Sequence, residues 1–193
     1  MRNVVSLMHM SLDGFVAGPK GEMDWIKFDE EVFSYVDTFI HEADTGLYGP
    51  KTFQMMESHW PKVLNDPNAT GHQFKHARWY EKTTKIVFSR KLDKLDNHSA
   101  RLVKENIPNE ITSLKNSQGK NAMIFGSPGL VHSLTQLGLI DEFLIMLNPV
   151  ILGTGIPMFE GIDPKINLRL EASTPFKAGV IGLHYINEKS LKQ

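Results

Sequence analysis

Residues 121–131 have the sequence NAMIFGSPGLV, in which an apolar run leads into a turn containing Gly and Pro and then into a second apolar run. The first run, 121–125, has the length of a strand, and the segment 130–137 ends at Gly138, where a C-cap glycine belongs. The pattern predicts a strand, a tight loop and a helix. In open α/β sheets ligands bind outside the carboxyl ends of strands, and free N–H groups at a helix N-terminus attract phosphate.

Strands and helices alternate on both sides of this segment. Further strands are predicted at 3–10, 44–48, 84–89, 101–104 and 142–150, an antiparallel pair at 167–173 and 180–187, and helices at 29–43, 51–59, 72–82 and 109–116. Residues 11–28 and 60–71 are predicted to be loops. This order predicts one α/β domain spanning 1–193, with a mostly parallel central sheet, antiparallel C-terminal strands and flanking helices.

The composition excludes several classes of protein. The chain has 193 residues, of which 41% are hydrophobic and 22% charged, which is typical of a globular domain. A formal net charge of −1 argues against a general nucleic-acid binder. The absence of Cys excludes disulfides, thiol catalysis and Cys-ligated zinc, and it is compatible with a reducing cytoplasm. No apolar run approaches the roughly 20 residues of a membrane helix. We therefore expect a cytoplasmic protein without nucleic-acid or membrane partners.

Three strand-to-loop junctions are candidate phosphate sites: 48–52, 87–91 and 124–129. The first and third open predicted helices, and the second supplies the hydroxyl of Ser89 and the cations of Arg90 and Lys91. None contains a GxGxxG fingerprint or a P-loop. On local pattern alone, three ordinary turns remain an equal alternative.

Seven motifs carry a resemblance to a known family. In chain order they are SLDGFVA (11–17), DW (24–25), LYGPKTF (47–53), IVFSR (86–90), IFGSPGLV (124–131), GLIDE (138–142) and NPVILGTGIPMF (148–159). Together they resemble the dihydrofolate reductase-like superfamily, and most closely the reductase domain of the bifunctional riboflavin-biosynthesis deaminase-reductase and its stand-alone bacterial relatives. The resemblance runs from about residue 3 to residue 187. It implies a three-layer fold and an NADPH-dependent oxidoreductase that is usually a homodimer.

The resemblance also implies a cofactor site. The residues that match its pyrophosphate loops are Gly49, Lys51, Thr52, Gly126, Ser127, Gly129 and Leu130, and those beside the adenosine 2′-phosphate are Ser89 and Arg90. A guanidinium is permanently charged and binds phosphate with two parallel hydrogen bonds, so Arg90 predicts NADPH rather than NADH as the cofactor. A solvated turn is the alternative for 90–91.

The sequence departs from the family in two ways. Relatives often carry Arg at the position of Pro50, which offers a phosphate neither a charge nor an N–H, so that contact is lost or supplied by Lys51. The deaminase half of the bifunctional enzyme is absent, because no Cys is present for its zinc site.

The segment 13–25 resembles the mobile loop that covers the nicotinamide in dihydrofolate reductase. We place the substrate between this loop and the helix at 29–43, and predict Gly14, Val16, Ala17 and Trp25 as its contacts. The alternative is a plain irregular connection.

The proton source is predicted among the carboxylates near this loop. Counted from Trp25 without a gap, Glu30 falls where dihydrofolate reductase has its substrate carboxylate. At about 100° per residue, however, Asp29 lies on the apolar stripe of the helix and Glu30 shares the polar face with Asp37. Asp29 is therefore the first catalytic candidate and Asp13 the second. The alternatives are an N-cap for Asp29 and turn chemistry for Asp13.

The histidines give a weaker signal. His72 and His76 are four residues apart on a predicted helix, with His59 near in sequence. Because neither an acidic third ligand nor an HExxH motif accompanies them, no metal site is predicted.

Three functions follow from these patterns. The first is an NADPH-dependent reductase of a small heterocyclic (pterin- or pyrimidine-like) or carbonyl substrate, related to the reductases of folate and riboflavin metabolism. The alternative is a nucleotide-binding or sensing protein that keeps the fold without turnover, which Pro50 and the uncertain proton donor suggest. A third is a structural dimer without a nucleotide site. No phosphate clamp for a ribosylated pyrimidine is recognisable.

Overall fold

The computed structural model describes residues 1–95, 97 and 99–190. Within them the strands are β1 (Val4–Ser11), β2 (Phe15–Ala17), β3 (Ala43–Tyr48), β4 (Thr84–Phe88), β5 (Ala100–Val103), β6 (Asn121–Phe125), β7 (Glu142–Asn148), β8 (Ile156–Pro157), β9 (Leu168–Pro175) and β10 (Ile181–Asn187). The helices are α1 (Glu30–His41), α2 (Pro50–Val63), α3 (Gly71–Lys82), α4 (Ile107–Asn116) and α5 (Pro128–Gln136).

Eight strands form one sheet in the order β5-β4-β3-β6-β1-β7-β10-β9. Neighbours from β5 to β7 are parallel, and β10 is antiparallel to both β7 and β9. The central strand β1 pairs with β6 on one side and with β7 on the other. The predicted α/β class, with a mostly parallel sheet and an antiparallel C-terminal edge, is confirmed.

Helices cover both faces of the sheet and make three layers. Successive strand residues alternate between two apolar clusters, because side chains of a strand point to opposite faces. Val4 and Ile124 join the cluster covered by α4 and α5, whereas Val5 and Phe125 join the cluster covered by α1, α2 and α3. Both faces being buried explains why the central strands are continuous apolar runs.

Two short strands lie in segments predicted to be irregular. β2 pairs with β8 in an antiparallel two-stranded sheet, which joins the loop after β1 to the Gly-rich segment after β7. At Gly155 an added Cβ would lie 2.3 Å from the carbonyl oxygen of Ala17, so only glycine permits this approach. The pairing is between distant segments, and local sequence carries little signal for it.

Helix α2 is longer than predicted. It continues through Trp60 and Pro61 to Val63, in a segment where a loop was predicted. A proline removes one helical N–H, but the helix ends two residues after Pro61 and Val63 is buried in the core. Tertiary burial therefore outweighs the local signal.

Within the described residues, none of the helices has the length and apolar character that crossing a bilayer requires.

Candidate active site

A cavity of about 680 Å³ lies at the carboxyl ends of β1 and β6, among helices α1, α2 and α3 and the loop after β1. Most of the side chains around it are apolar or aromatic. Among the described lining residues the charged groups are Lys51 and Asp37, and four histidines accompany them: His9, His59, His72 and His76. The cavity therefore has few polar groups, and they are concentrated on particular walls.

One end of the cavity is formed by the N-terminus of α2. Gly49 is the N-cap in an extended conformation, and Pro50 occupies the first helical position. No side chain of the described residues caps this end, and Lys51 and Thr52 line the cavity. The backbone N–H groups of the first turn are therefore available to an anion, with a lysine beside them.

The N-terminus of α5 lies next to that of α2, and Ser127 joins them. Gly126 and Ser127 both have left-handed backbones, with φ of 55° and 54°. Ser127 Oγ accepts a hydrogen bond of 3.0 Å from the N–H of Gly49. A left-handed conformation is unfavourable for serine by roughly 1–2 kcal/mol, and such strain is often found at binding sites. The two loops thus form one cradle.

Most of the predicted cofactor residues lie in or beside this cradle. Four of them line the cavity: Lys51, Thr52, Gly126 and Ser127. Gly49 donates its N–H to Ser127. In the first turn of α5, Gly129 is exposed and Leu130 is buried. The residues present fit phosphate groups, because they combine backbone N–H groups, a hydroxyl and a cation.

Ser89 and Arg90 follow β4, which is the neighbour of β3 in the sheet. Ser89 Oγ accepts hydrogen bonds from the N–H groups of Lys91 and Leu92, at 3.2 and 3.1 Å. Arg90 is exposed and lies outside the cavity lining. These residues therefore lie at the same edge of the sheet as the cradle, on the adjacent parallel strands.

Aromatic rings form one wall of the other end of the cavity. The ring of Phe28 contacts His9 edge to face, with 4.9 Å between the ring centroids, and stacks on Phe33 at 5.1 Å. Phe33 in turn stacks on His72 at 5.6 Å. This series links β1, the loop, α1 and α3. Such offset and edge contacts are the favourable arrangements of aromatic pairs.

A second aromatic series links α2, α3 and β6. The rings of Trp60 and His76 stack at 3.9 Å, and His76 meets Phe125 edge to face at 5.7 Å. His76 and His72 are one turn apart on α3, so both series meet on one face of that helix. We call this part of the cavity the aromatic compartment.

Burial controls the charge of two of these histidines. Desolvation lowers the pKa of His9 and of His76 to about 4. His76 Nε2 is buried and makes no hydrogen bond within the described part of the chain. Both rings are therefore neutral near pH 7 and act as part of the apolar wall.

Asp37 and His72 form a polar pair that the sequence interpretation missed. His72 Nδ1 lies 2.9 Å from Asp37 Oδ2, and both side chains line the cavity. Asp37 was placed on the polar face of α1, but the cavity face of this helix is broad and runs over positions 32, 33, 36, 37 and 40. The available signal was the position of Asp37 one turn after Phe33 and next to Val36.

Asp29 does not lie on the apolar stripe of α1, and that prediction is wrong. The helix begins at Glu30, and Asp29 is its N-cap with an extended backbone, so helical geometry does not describe its direction. One carboxylate oxygen accepts from the N–H of Val32 at 2.7 Å and the other from the N–H of Ala178 at 3.1 Å. Asp29 is also not among the cavity-lining residues. The geometry is that of the capping alternative.

Asp13 likewise binds backbone groups at a turn outside the cavity lining. Its carboxylate accepts from Ser11 Oγ at 2.7 Å, from the N–H of Gly153 at 2.7 Å and from that of Leu152 at 3.1 Å. The Ser11 hydrogen bond, followed by those from Gly153 and Leu152, lowers the pKa of this exposed carboxyl. Asp13 therefore holds the segment after β7 against the end of β1.

The predicted substrate contacts divide into two groups. Val16 and Ala17 on β2 line the cavity. Gly14 and Trp25 do not: the N–H of Gly14 bonds within the turn after β1, and the indole N–H of Trp25 donates to Glu22 O at 3.1 Å. The loop instead contributes residues 21, 23, 26 and 28 to the lining.

His59, His72 and His76 all line the cavity, but they do not form a metal site in the described structure. Nowhere among the described residues are three or more His, Cys, Asp or Glu side chains placed to hold one ion.

Comparison with known proteins identifies relatives over nearly the whole chain. The family model of the RibD C-terminal domain matches residues 2–181. The uncharacterized proteins YyaP and YwjB of Bacillus subtilis are 34% and 30% identical to the chain over 186 residues; these alignments cover 95% and 96% of this chain and 94% and 98% of the relatives.

Solved structures with the same fold include two kinds of protein. A riboflavin biosynthesis protein from Shewanella has a TM-score of 0.74 at 19% identity, over 96% of this chain and 98% of that one. A deaminase/reductase from Thermotoga maritima has a TM-score of 0.67 at 14% identity, and the match covers 96% of this chain but 56% of that protein. Dihydrofolate reductase from Enterococcus faecalis, complexed with NADP(H), has a TM-score of 0.63 at 14% identity, with 96% of both chains covered. These likenesses agree with the family match, and the chain belongs to the family of the RibD C-terminal domain.

Proposed function

We propose that this protein is an NADPH-dependent oxidoreductase that reduces a small heterocyclic (pterin- or pyrimidine-like) or carbonyl substrate. Membership in the RibD C-terminal domain family supports a reductase-type function. The observation that carries the proposal is the cavity itself, because one space of about 680 Å³ joins a phosphate-binding cradle to an aromatic compartment. A reductase needs both, side by side.

In this proposal the cradle binds the pyrophosphate. The first-turn N–H groups of α2 and α5 donate to phosphate oxygens, and the Lys51 ammonium neutralises part of their charge. Pro50 contributes no N–H, so Lys51 replaces the arginine that relatives often have at that position. Arg90, after β4, binds the 2′-phosphate and thereby selects NADPH over NADH.

The bound nicotinamide supplies a hydride, and the aromatic compartment holds the substrate against it. Val16 and Ala17 are the loop contacts, and Phe28 and Phe33 exclude water from the reacting atoms. Asp29 and Asp13 act as positioning residues. Asp29 accepts a hydrogen bond from a backbone N–H in the first turn of α1, and Asp13, just after β1, accepts one from the backbone N–H of Gly153.

Paired titrations with NADPH and NADH test the cofactor. Tryptophan fluorescence is followed for the wild type, Arg90→Ala and, as a control, Arg78→Ala, an exposed arginine on α3. We expect the wild type to bind NADPH about 10- to 100-fold more tightly than NADH, the range of one charge-assisted contact, and Arg90→Ala to bind both at the NADH level. Equal affinities in the wild type would contradict the role of Arg90, and no binding of either nucleotide would contradict the function.

The alternative of a nucleotide-binding protein without turnover has a specific observation in its favour. Both predicted catalytic carboxylates are engaged by backbone N–H groups. A screen of folates, pterins, pyrimidines and quinones decides between the two functions. Substrate-dependent loss of NADPH absorbance supports the reductase, whereas tight binding without consumption supports the sensor.

The protein is also proposed to be a homodimer. Leu170 on β9 and Ile181 on β10 are exposed apolar residues at the antiparallel edge of the sheet, and a two-fold axis would bury them. A mass in solution of twice 21.8 kDa is expected, and a monomer mass would overturn the dimer.

A further inference from the structure

The aromatic compartment differs from the cradle in charge. Lys51, the lysine among the described lining residues, lies at the N-terminus of α2 where the cofactor phosphates are proposed to bind. Among the described lining residues away from that helix end, the Asp, Glu, Lys or Arg side chain is that of Asp37. A phosphate or carboxylate on a substrate in this compartment would be desolvated by apolar walls, with no lysine or arginine of the described lining to pair with it.

The walls of the compartment are suited to a flat ring. Phe28 and Phe33 are stacked with an angle of 6° between their planes, and Trp60 and His76 are stacked at 21°. Met23, Met55 and Met56 also line the cavity. Aromatic faces and adaptable thioethers bind planar apolar molecules without requiring charge.

The Asp37–His72 pair has a geometry that suits proton transfer, because a carboxylate holds one nitrogen of an imidazole ring that lines the cavity. His72 Nδ1 lies 2.9 Å from the carboxylate of Asp37, which leaves Nε2 as the ring nitrogen that a substrate could engage. In the described structure Nε2 makes no hydrogen bond, and His72 lines the cavity with 20% of its side chain exposed. A carboxylate on one ring nitrogen fixes the orientation of the imidazole.

We propose that the aromatic compartment takes an uncharged, planar, unphosphorylated conjugated carbonyl or heterocyclic compound, and that His72, oriented by Asp37, is the catalytic acid that protonates it. The substrate class and the proton donor rest on the proposed reductase function. The Thermotoga maritima relative is named as a reductase of a phosphoribosyl compound, so the proposal gives this chain a different substrate class.

The proton and electron balance is complete. The hydride would leave a C–H bond of the reduced nicotinamide, which is thereby oxidised to NADP+. The hydride forms a new C–H bond at the electrophilic carbon of a C=O or C=N group, and the π electrons move to the heteroatom. That atom takes the proton from His72 Nε2 and becomes O–H or N–H. The neutral His72 regains its proton from water, while Asp37 remains a carboxylate throughout.

The substrate class is tested first by binding. Pterin and pterin-6-carboxylate are fluorescent and differ by one carboxylate, so their dissociation constants isolate the effect of charge. We expect the wild type to bind pterin at least about 10-fold more tightly, because the apolar walls desolvate the carboxylate without pairing it. Equal or tighter binding of the carboxylate would overturn the substrate class. This measurement needs no nucleotide, so it remains informative even where NADPH binding fails.

The proton donor is tested with NADPH and two neutral probes, dihydropterin and menadione. His72→Asn keeps an amide that can bond to Asp37, and His72→Gln is a second variant in case the first folds poorly. We expect kcat to fall about 100-fold or more, with KM unchanged within about 2-fold. The control is His41→Gln, an exposed residue at the end of α1 outside the cavity lining, and it is expected to match the wild type.

The pH profile separates an acid from a structural residue. Protonated His72 is required, so the wild-type rate falls at high pH, and this limb is absent in the His72 variants. Asp37→Asn is expected to lower kcat about 10-fold, because a neutral amide holds the ring of His72 less firmly than a carboxylate does. The other titratable groups facing the site are His9, His59, His76 and Lys51, which all variants retain.

The outcomes distinguish the two proposals. If the His72 variants behave like His41→Gln, or if neither neutral probe is reduced while NADPH binds, the proton donor is overturned. If NADPH does not bind at all, the proposed function fails, and the pterin titrations alone decide the substrate class.

Discussion

The two ends of the cavity are built from different parts of the chain. The cradle consists mainly of backbone: the first turns of α2 and α5, a left-handed Gly126 and a hydrogen bond from Gly49 to Ser127. The aromatic compartment consists of side chains from α1, α2, α3, β1 and the loop after β1. The cradle therefore depends on a few conformations, and the compartment depends on packing between elements.

This difference explains why a family can keep one end and vary the other. Backbone N–H groups bind phosphate with most residue types, provided that the loop keeps its shape. The compartment changes its chemistry with each substituted side chain. We expect relatives of this fold to share the cradle geometry and to differ around positions 37, 60 and 72.

The largest effect on stability is expected from removing a ring of the compartment. Trp60→Ala deletes the indole that stacks on His76 and packs against the core under α1, α2 and α3. We expect a loss of about 3 kcal/mol in the free energy of unfolding, because large aromatic truncations leave a cavity. Urea denaturation followed by circular dichroism measures it.

Trp25→Ala is the matched control. Trp25 is half-buried in the loop, belongs to neither apolar cluster and donates one hydrogen bond to Glu22 O. We expect a loss below about 1 kcal/mol. Equal losses for Trp60→Ala and Trp25→Ala would show that the compartment adds no stability beyond that of a surface loop.

An intermediate effect is expected from pH, and it involves the compartment alone. The pKa of His76 is lowered to about 4 in the folded protein from 6.5 in the unfolded chain. Its stabilising effect is therefore complete above about pH 6.5 and is lost as the pH falls towards 4, because only the unfolded chain takes up the proton in that window.

His76→Phe removes this titration and keeps an aromatic ring. Between pH 7 and pH 4.5 we expect the wild type to lose on the order of 2 kcal/mol more unfolding free energy than the variant. His9, whose pKa is also lowered to about 4, is present in both and cancels in the difference. The same pH slope in wild type and His76→Phe would disprove the neutral, buried state of His76.

The smallest effect is expected at the cradle. Gly126→Ala places a side chain on a residue with φ of 55°, where the nearest contact of an added Cβ is Thr52 Cγ2 at 3.8 Å. Space is sufficient, so the expected loss of about 1 kcal/mol comes from the left-handed backbone. Thermal unfolding of this variant is compared with that of Gly71→Ala.

Gly71, in the first turn of α3, is the control because an added Cβ there meets no atom within 4 Å and its backbone is not left-handed. We expect Gly71→Ala to be neutral or slightly stabilising. If both variants lose the same stability, the strain assigned to the cradle is absent. NADPH titration of Gly126→Ala then shows whether the cradle shape matters for binding.

Much of the fold could be predicted because its signals are local. β6 was predicted at 121–125 and occupies those residues, and the strand order of β-α-β units limits the possible topologies. The pairing of β2 with β8 and the end of α2 at Val63 were missed. Both depend on contacts with segments distant in sequence, which local propensity does not report.

The candidate site divides in the same way. Lys51, Thr52, Gly126 and Ser127 were predicted as cofactor residues from the family resemblance, at junctions between strands and helices, and they line the cavity. Asp37 and His72 were not identified as a pair, since they are 35 residues apart on different helices. The placement of Asp29 on the apolar stripe of α1 was wrong, because the helical wheel was extended to a residue whose backbone is not helical.

The sequence by itself determined the α/β class, the strand-to-helix junctions and the residues of the cradle, because glycine, proline and apolar periodicity act within a few residues of chain. Only the tertiary structure decided which carboxylate faces the cavity, which histidines are neutral and which rings stack. Those properties depend on burial and on the packing of α1 and α2 against α3. Burial changes the free energy of a charge or a ring by amounts that no local pattern records.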